Sequence, residues 1–218
     1  MTKKPIDQLA EIKSMMERSS KFISLSGLSG VSVGIIALIG AAFAFFVLNY
    51  DDRYFDPSVY FTQSRNIIFP SIILSLMLDG LIVLILAIGS ALFFTSRKAQ
   101  KLGEKAWSNI SKRMLYNLFV PLASGGIFCL ILIYYGIIFL VAPAMLVFYG
   151  LALINASKFT LKEIHYLGLC EILLGIFGLI FVGYGLIFWS IGFGLLHIIY
   201  GIIMYYRYDK IISEKQSQ

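Results

Sequence analysis

Three ionisable side chains lie inside long apolar runs of this sequence: Asp79, Glu171 and His197. A carboxyl or imidazole in hydrocarbon is costly, so such residues mark proton relays, polar-substrate sites, or paired groups that fix helix register. At about 1.5 Å of rise per residue, Glu171 lies roughly 13 Å in from Lys162 and His197 roughly 15 Å in from Arg207. The two can therefore meet near a bilayer midplane and hydrogen-bond. Asp79 belongs to the outer half of another run, and the sequence shows no route by which it joins them. Burial and a charged neighbour pull their protonation in opposite directions, so the charge state stays open.

Other chemistry finds little support. His165 is only about 5 Å in from Lys162, too far from the depth of His197 for both to ligate one haem, and no cofactor is expected. The sequence has no HExxH, no GxSxG, no phosphate-cradling glycine loop and no cluster of metal ligands, so no catalytic residue and no metal site are named. Cys129 and Cys170, each within an apolar run, read as small packing residues.

The elements that position these residues follow from composition. The chain is 59% hydrophobic and 14% charged, far from the balance of a soluble domain. Its net charge of +6 comes in short basic blocks between apolar runs, which excludes a basic nucleic-acid face. A hydrocarbon core of about 30 Å needs roughly 20 apolar residues per crossing. Runs of that size give six spans, at about 29–49, 67–95, 115–134, 137–157, 163–182 and 186–206. Turns are expected at Tyr134-Tyr135-Gly136 and Gly183-Tyr184-Gly185. The runs lack the alternation of barrel strands, so backbone groups are satisfied within helices.

The expected architecture is an all-α membrane protein with six transmembrane helices arranged as three hairpins. An amphipathic interfacial helix in residues 1–28, with Leu9, Ile12 and Met16 on one face, precedes them, and a polar tail, 207–218, follows. The polar opening is too long and too acidic for a signal peptide, so no cleavage is expected.

Sixteen of the eighteen lysines and arginines fall on one side of this topology, with only Arg53 and Arg65 opposite. Both termini are therefore expected in the cytoplasm. Arg97, Lys98, Lys101, Lys105, Lys112 and Arg113 surround Trp107 in the inner loop, a grouping suited to anionic headgroups.

Ser26, Gly27, Gly30 and Gly34 give the first span a nearly bare face, on which a helix of the same chain or of a second copy can pack closely. GLSGVSVGIIALI (27–39) aligns with GLCEILLGIFGLI (168–180) at six of thirteen positions, and IGSALFFTSRK (88–98), YGLALINASKF (149–159) and YGIIMYYRYDK (200–210) share a glycine, an apolar stretch and a basic end. Both matches relate helices of the same direction, as three parallel hairpin repeats would. The stretch MMERSSKFISLSGLSGVSVGIIALIGA (15–41) resembles the opening of a group of uncharacterised bacterial membrane proteins, which implies an inner-membrane location and no particular activity. Two functions remain: a non-enzymatic binding, regulatory or envelope component, and a small transporter of protons or a polar solute. The expected partners are the lipid bilayer and either a second copy or a membrane partner protein.

Overall fold

A computed structural model of the chain describes residues 22, 24–49, 70–103 and 107–210. The expected amphipathic face of Leu9, Ile12 and Met16, the loop after the first span, Lys105 and the end of the tail lie outside these residues. Within them the fold is helical, with no strand. Six helices are long and apolar enough to cross a membrane. They are α1 (Gly27–Asn49), α2 (Pro70–Lys101), α3 (Asn109–Tyr134), α4 (Val141–Ser157, entered through a 3-10 turn at Ile138–Leu140), α5 (Lys162–Ile180) and α6 (Gly185–Asp209). Each apolar run becomes a helix because hydrocarbon offers backbone groups no other partner.

The ends are defined by local chemistry. Ser108 accepts from the Ser111 amide at 3.1 Å while the Ser111 hydroxyl accepts from the Ser108 amide at 2.8 Å, a capping box that starts α3. The turns after α3 and α5 carry Gly136 at φ 74 and Gly183 at φ 93, left-handed conformations that cost glycine nothing. Helix α6 is wound as a π-helix over Ser190–Leu196 and again over Tyr205–Asp209. Before α1, residues 22 and 24–26 are not helical, and Phe22, Ser24 and Ser26 are buried. The last residues assigned to an interfacial helix are thus a strap beneath the bundle: the Phe22 amide donates to Phe159 O at 2.7 Å and Thr160 donates to Phe22 O at 2.8 Å.

The packing differs from that of a soluble protein in how many large apolar side chains it leaves on the outside. Many of the buried side chains are small or polar, among them Ala37, Ala41, Ala44, Ser29, Glu171 and His197, beside a cluster of Leu153, Leu161, Ile164, Leu167 and Met204, while Phe46, Leu81, Ile85 and Phe119 face outward. Lipid tails cover large apolar groups as well as a core would, so close backbone approach drives association. Helix α1 packs on α2 and α6, and α4 on α3 and α5, whereas α2 packs chiefly on α1.

Two of these contacts are built alike. A Cβ at Gly34 would fall 2.6 Å from Gly194 O and 3.0 Å from Ile198 N, and one at Gly175 would fall 2.9 Å from Pro143 O and 3.0 Å from Val147 N. Gly27 meets the backbone of Gly201 and Tyr205, as Gly168 meets that of Gly150 and Ile154. A single shift of 141 residues carries α1 onto α5 in every one of these contacts, and a shift of 51 carries α4 onto α6. The end of the glycine pattern recurs in α3 as GIFCLI (126–131), beside GIIALI (34–39) and GIFGLI (175–180).

Gly34→Leu should force α1 off α6 and lower stability by about 1–3 kcal/mol. Gly80→Ala, where nothing lies within 4 Å, should stabilise by about 0.5–1 kcal/mol. Thermal unfolding in detergent reads both, and an unchanged midpoint for Gly34→Leu would refute the close approach.

Candidate functional site

Glu171 and His197 are brought together between α4, α5 and α6. Glu171 is fully buried and His197 is 5% exposed. His197 Nδ1 and Glu171 Oε1 are 3.5 Å apart. The hydrogen bonds of the imidazole go elsewhere: Nδ1 lies 3.0 Å from Gly192 O and Nε2 lies 2.7 Å from the Tyr149 hydroxyl. Since a carbonyl only accepts, Nδ1 carries a hydrogen, and in the neutral ring Nε2 accepts from Tyr149. Neither carboxyl oxygen of Glu171 has a hydrogen-bond partner among the described residues. The carboxyl lies against Gly192, where any side chain would collide with Oε2 and with Leu146.

The π-wound segment supplies this geometry. A π-turn inserts a residue into a helix and is frequent at functional positions. Here it brings the carbonyl of Gly192, five residues back, to the ring of His197. Phe193 stacks on the same ring at 6.0 Å, with Trp189 beyond it at 4.9 Å. Sequence patterning does not single out Tyr149, one of thirteen tyrosines. Only the α4–α5–α6 packing gives it a role.

Asp79 does not join the pair. Its carboxyl oxygens sit beside Gly40 of α1, 3.5 and 3.6 Å from where a Cβ would lie. It is nineteen residues before Lys98, about 28 Å along the helix. That places it near the far boundary of the apolar layer, whereas Glu171 and His197 are roughly 12 and 15 Å from Glu163 and Arg207 at the basic end.

The basic end holds a second polar group. Lys98, expected to face headgroups, is 8% exposed. Its long stem turns inward, so that Nζ lies 2.7 Å from Asp209 Oδ1 and donates to Leu25 O at 2.8 Å. Asp209 Oδ2 accepts from the Ser26 hydroxyl at 3.1 Å and the Gly27 amide at 3.0 Å. The α6 carboxylate thereby caps the positive N-terminus of α1. Beside it, Glu163 accepts from Arg207 at 2.9 Å and from Tyr208 at 3.0 and 3.1 Å. Of the remaining loop residues, Arg97, Lys101, Trp107, Lys112 and Arg113 are exposed, and Arg97 lies over the Phe93 ring at 5.6 Å.

The small face of α1 is used within the chain. Gly27, Gly30 and Gly34 all abut α6, Gly30 against the backbone of Gly201 and His197. A crevice of about 230 Å³ opens between the far halves of α1 and α6, lined by Leu38, Ala41, Ala42, Phe45, Leu186, Ile187 and Ser190. None of the ionisable groups borders it. The described residues hold no cluster of three or more histidine, cysteine or acidic side chains able to bind a metal. No protein-family model, curated protein or solved structure matches the chain.

The two polar groups should respond differently to mutation. Asp209→Ala leaves Lys98 without its counter-charge and should cost on the order of 3 kcal/mol, with the Lys98→Ala, Asp209→Ala double variant losing less than the sum. A double-mutant cycle by thermal unfolding measures this, and additivity would show the pair contributes nothing. Glu171→Gln keeps shape and burial, so it should change stability by less than about 1 kcal/mol. Collapse of that variant would make the carboxyl a structural requirement.

Proposed function

We propose that this chain is a multi-pass component of a bacterial inner membrane that works by binding, in a regulatory or envelope-associated role, and not by catalysis. The supporting observation is the sealing of its intramembrane polar group: Glu171 and His197 are 0% and 5% exposed, and the crevice beside α6 borders neither. A conduit for a polar solute needs a hydrated path to such groups. The exposed rim of Arg97, Lys101, Trp107, Lys112 and Arg113 suits attraction to anionic headgroups. The bias of basic residues supports cytoplasmic termini.

The helices are read as three successive hairpins of one repeat, preceded by an interfacial helix. The matching glycine contacts of α1 with α6 and of α5 with α4 support this reading.

One observation favours a second function, proton-linked or polar-solute transport. The oxygens of Glu171 have no hydrogen-bond partner among the described residues, and an unpartnered intramembrane carboxyl is the hallmark of a coupling site.

Flux separates the two. Purified protein in liposomes, under proton and solute gradients, should show no flux above protein-free vesicles. Flux in the wild type that disappears in folded Glu171→Gln would overturn the binding reading and establish transport.

A further inference from the structure

We propose that Glu171, His197 and Tyr149 form a proton-binding site in the centre of the bundle, whose occupancy sets how α6 packs against α1. This goes beyond the binding reading and does not depend on it, since a proton can be bound without being conducted.

The scaffold has no need of the pair. The shift that carries α1 onto α5 places Gly30 at the position of Glu171, and the shift that carries α4 onto α6 places Leu146 at the position of His197. The α1–α6 contact reaches the same close approach with Gly30 in place of a carboxyl, and Leu146 is fully buried where the equivalent residue is an imidazole. A register lock could be built of apolar groups, as its counterparts are. The two polar departures instead face one another, 3.5 Å apart.

Proton arithmetic defines the ligand. With the Nδ1 hydrogen fixed by Gly192 O, the pair carries a net charge of −1, 0 or +1 as it holds zero, one or two further protons. Low dielectric penalises both charged states, so the neutral state with one exchangeable proton is favoured. That proton can reside on the Glu171 carboxyl or on Nε2 of the imidazole. In the latter case the Tyr149 hydroxyl must turn and accept.

The other facing elements add no competing charge. Residues 27–49 of α1 contain no titratable side chain, and Tyr149 is the sole one in α4. On α5 and α6, Cys170 and Tyr200 contact each other at 3.8 Å.

The Nδ1 hydrogen is bonded to Gly192 O at 3.0 Å, and a competing acceptor, Glu171 Oε1, stands 3.5 Å from Nδ1 without bonding it. An uncharged carboxyl competes poorly, and the present geometry, with the carbonyl holding the hydrogen, is the one expected for it. When the proton leaves to water, the carboxylate makes the stronger, charge-assisted bond and draws Nδ1 from Gly192. That carbonyl belongs to the π-wound segment, whose Gly194 packs on Gly34 and Leu38 of α1, while the backbone of His197 lies against Gly30. A proton at Glu171 thus acts on the α1–α6 contact.

The chain carries its own reporter. Trp189 is separated from His197 only by the Phe193 ring, and Trp107 is the sole other tryptophan. Full-length Trp107→Phe protein in lipid nanodiscs is titrated over about pH 5 to 9, following Trp189 emission and the infrared carbonyl band of protonated carboxyl. A single shared transition is expected. In Trp107→Phe, Glu171→Gln the carboxyl transition should be lost and the emission should be flat. No transition in the parent protein, or an emission transition that persists in Glu171→Gln, overturns the proposal. Should Glu171→Gln not fold, Tyr149→Phe, which removes only the hydroxyl on Nε2, should displace the midpoint. An unmoved midpoint then counts equally against the site.

Discussion

Large apolar side chains gain nothing by leaving lipid for a protein interior, so this bundle can be held only by contacts that lipid cannot replace. Its helices meet them by bringing backbone against backbone at glycine. Gly27, Gly30 and Gly34 let α1 lie on α6, and Gly150, Gly168 and Gly175 do the same for α4 and α5. The rest of the structure depends on this approach. It fixes which helices are neighbours, sets α5 and the start of α6 against α4, and leaves α2 attached to the bundle chiefly through α1.

The basic end converts the same economy into directional bonds. Three chain segments converge there: the strap before α1, the end of α2 and the end of α6. Asp209 joins them, capping α1 through Gly27 while it pairs with Lys98. A charge in this position satisfies helix-terminal amides that neither lipid nor another helix could reach. It also ties the chain ahead of α1 to the bundle, so a displacement of α6 would be felt by the strap.

Against such a background the interior carboxyl and imidazole are an exception. The fold supplies them with little solvation: Gly192 O and the Tyr149 hydroxyl for His197, and no hydrogen-bond partner among the described residues for Glu171. The placement of a π-wound turn beside them is the second irregularity, and the two coincide. A regular helix would direct Gly192 O to the amide four residues on. The wider turn turns it toward the ring of His197.

The sequence by itself determined that six long apolar helices form, because hydrocarbon forces every apolar run of sufficient length to close its own hydrogen bonds. It did not set their ends, since α2 continues through polar residues to Lys101, past the expected 95, and α3 starts at Asn109, ahead of the expected 115. Depth along a helix was equally legible, since rise per residue is constant: Glu171 and His197 could be placed at one level before any packing was known. The glycine face of α1 was visible too, though not its partner, for a small-residue stripe fits a helix of the same chain or another equally well. The likeness of α3 to α1 and α5 is hard to read from the sequence because α3 keeps only the GIFCLI half, with Phe119-Val120 where α1 and α5 have Gly-Leu. Tertiary structure alone decided the azimuth of each helix. It turned Lys98 inward to Asp209, carried Asp79 away to Gly40 of α1, and brought Tyr149 to His197. These contacts join residues far apart in sequence, and a linear pattern fixes how deep a side chain lies but not which neighbour it faces, because that angle is set by interlocking surfaces on several helices at once.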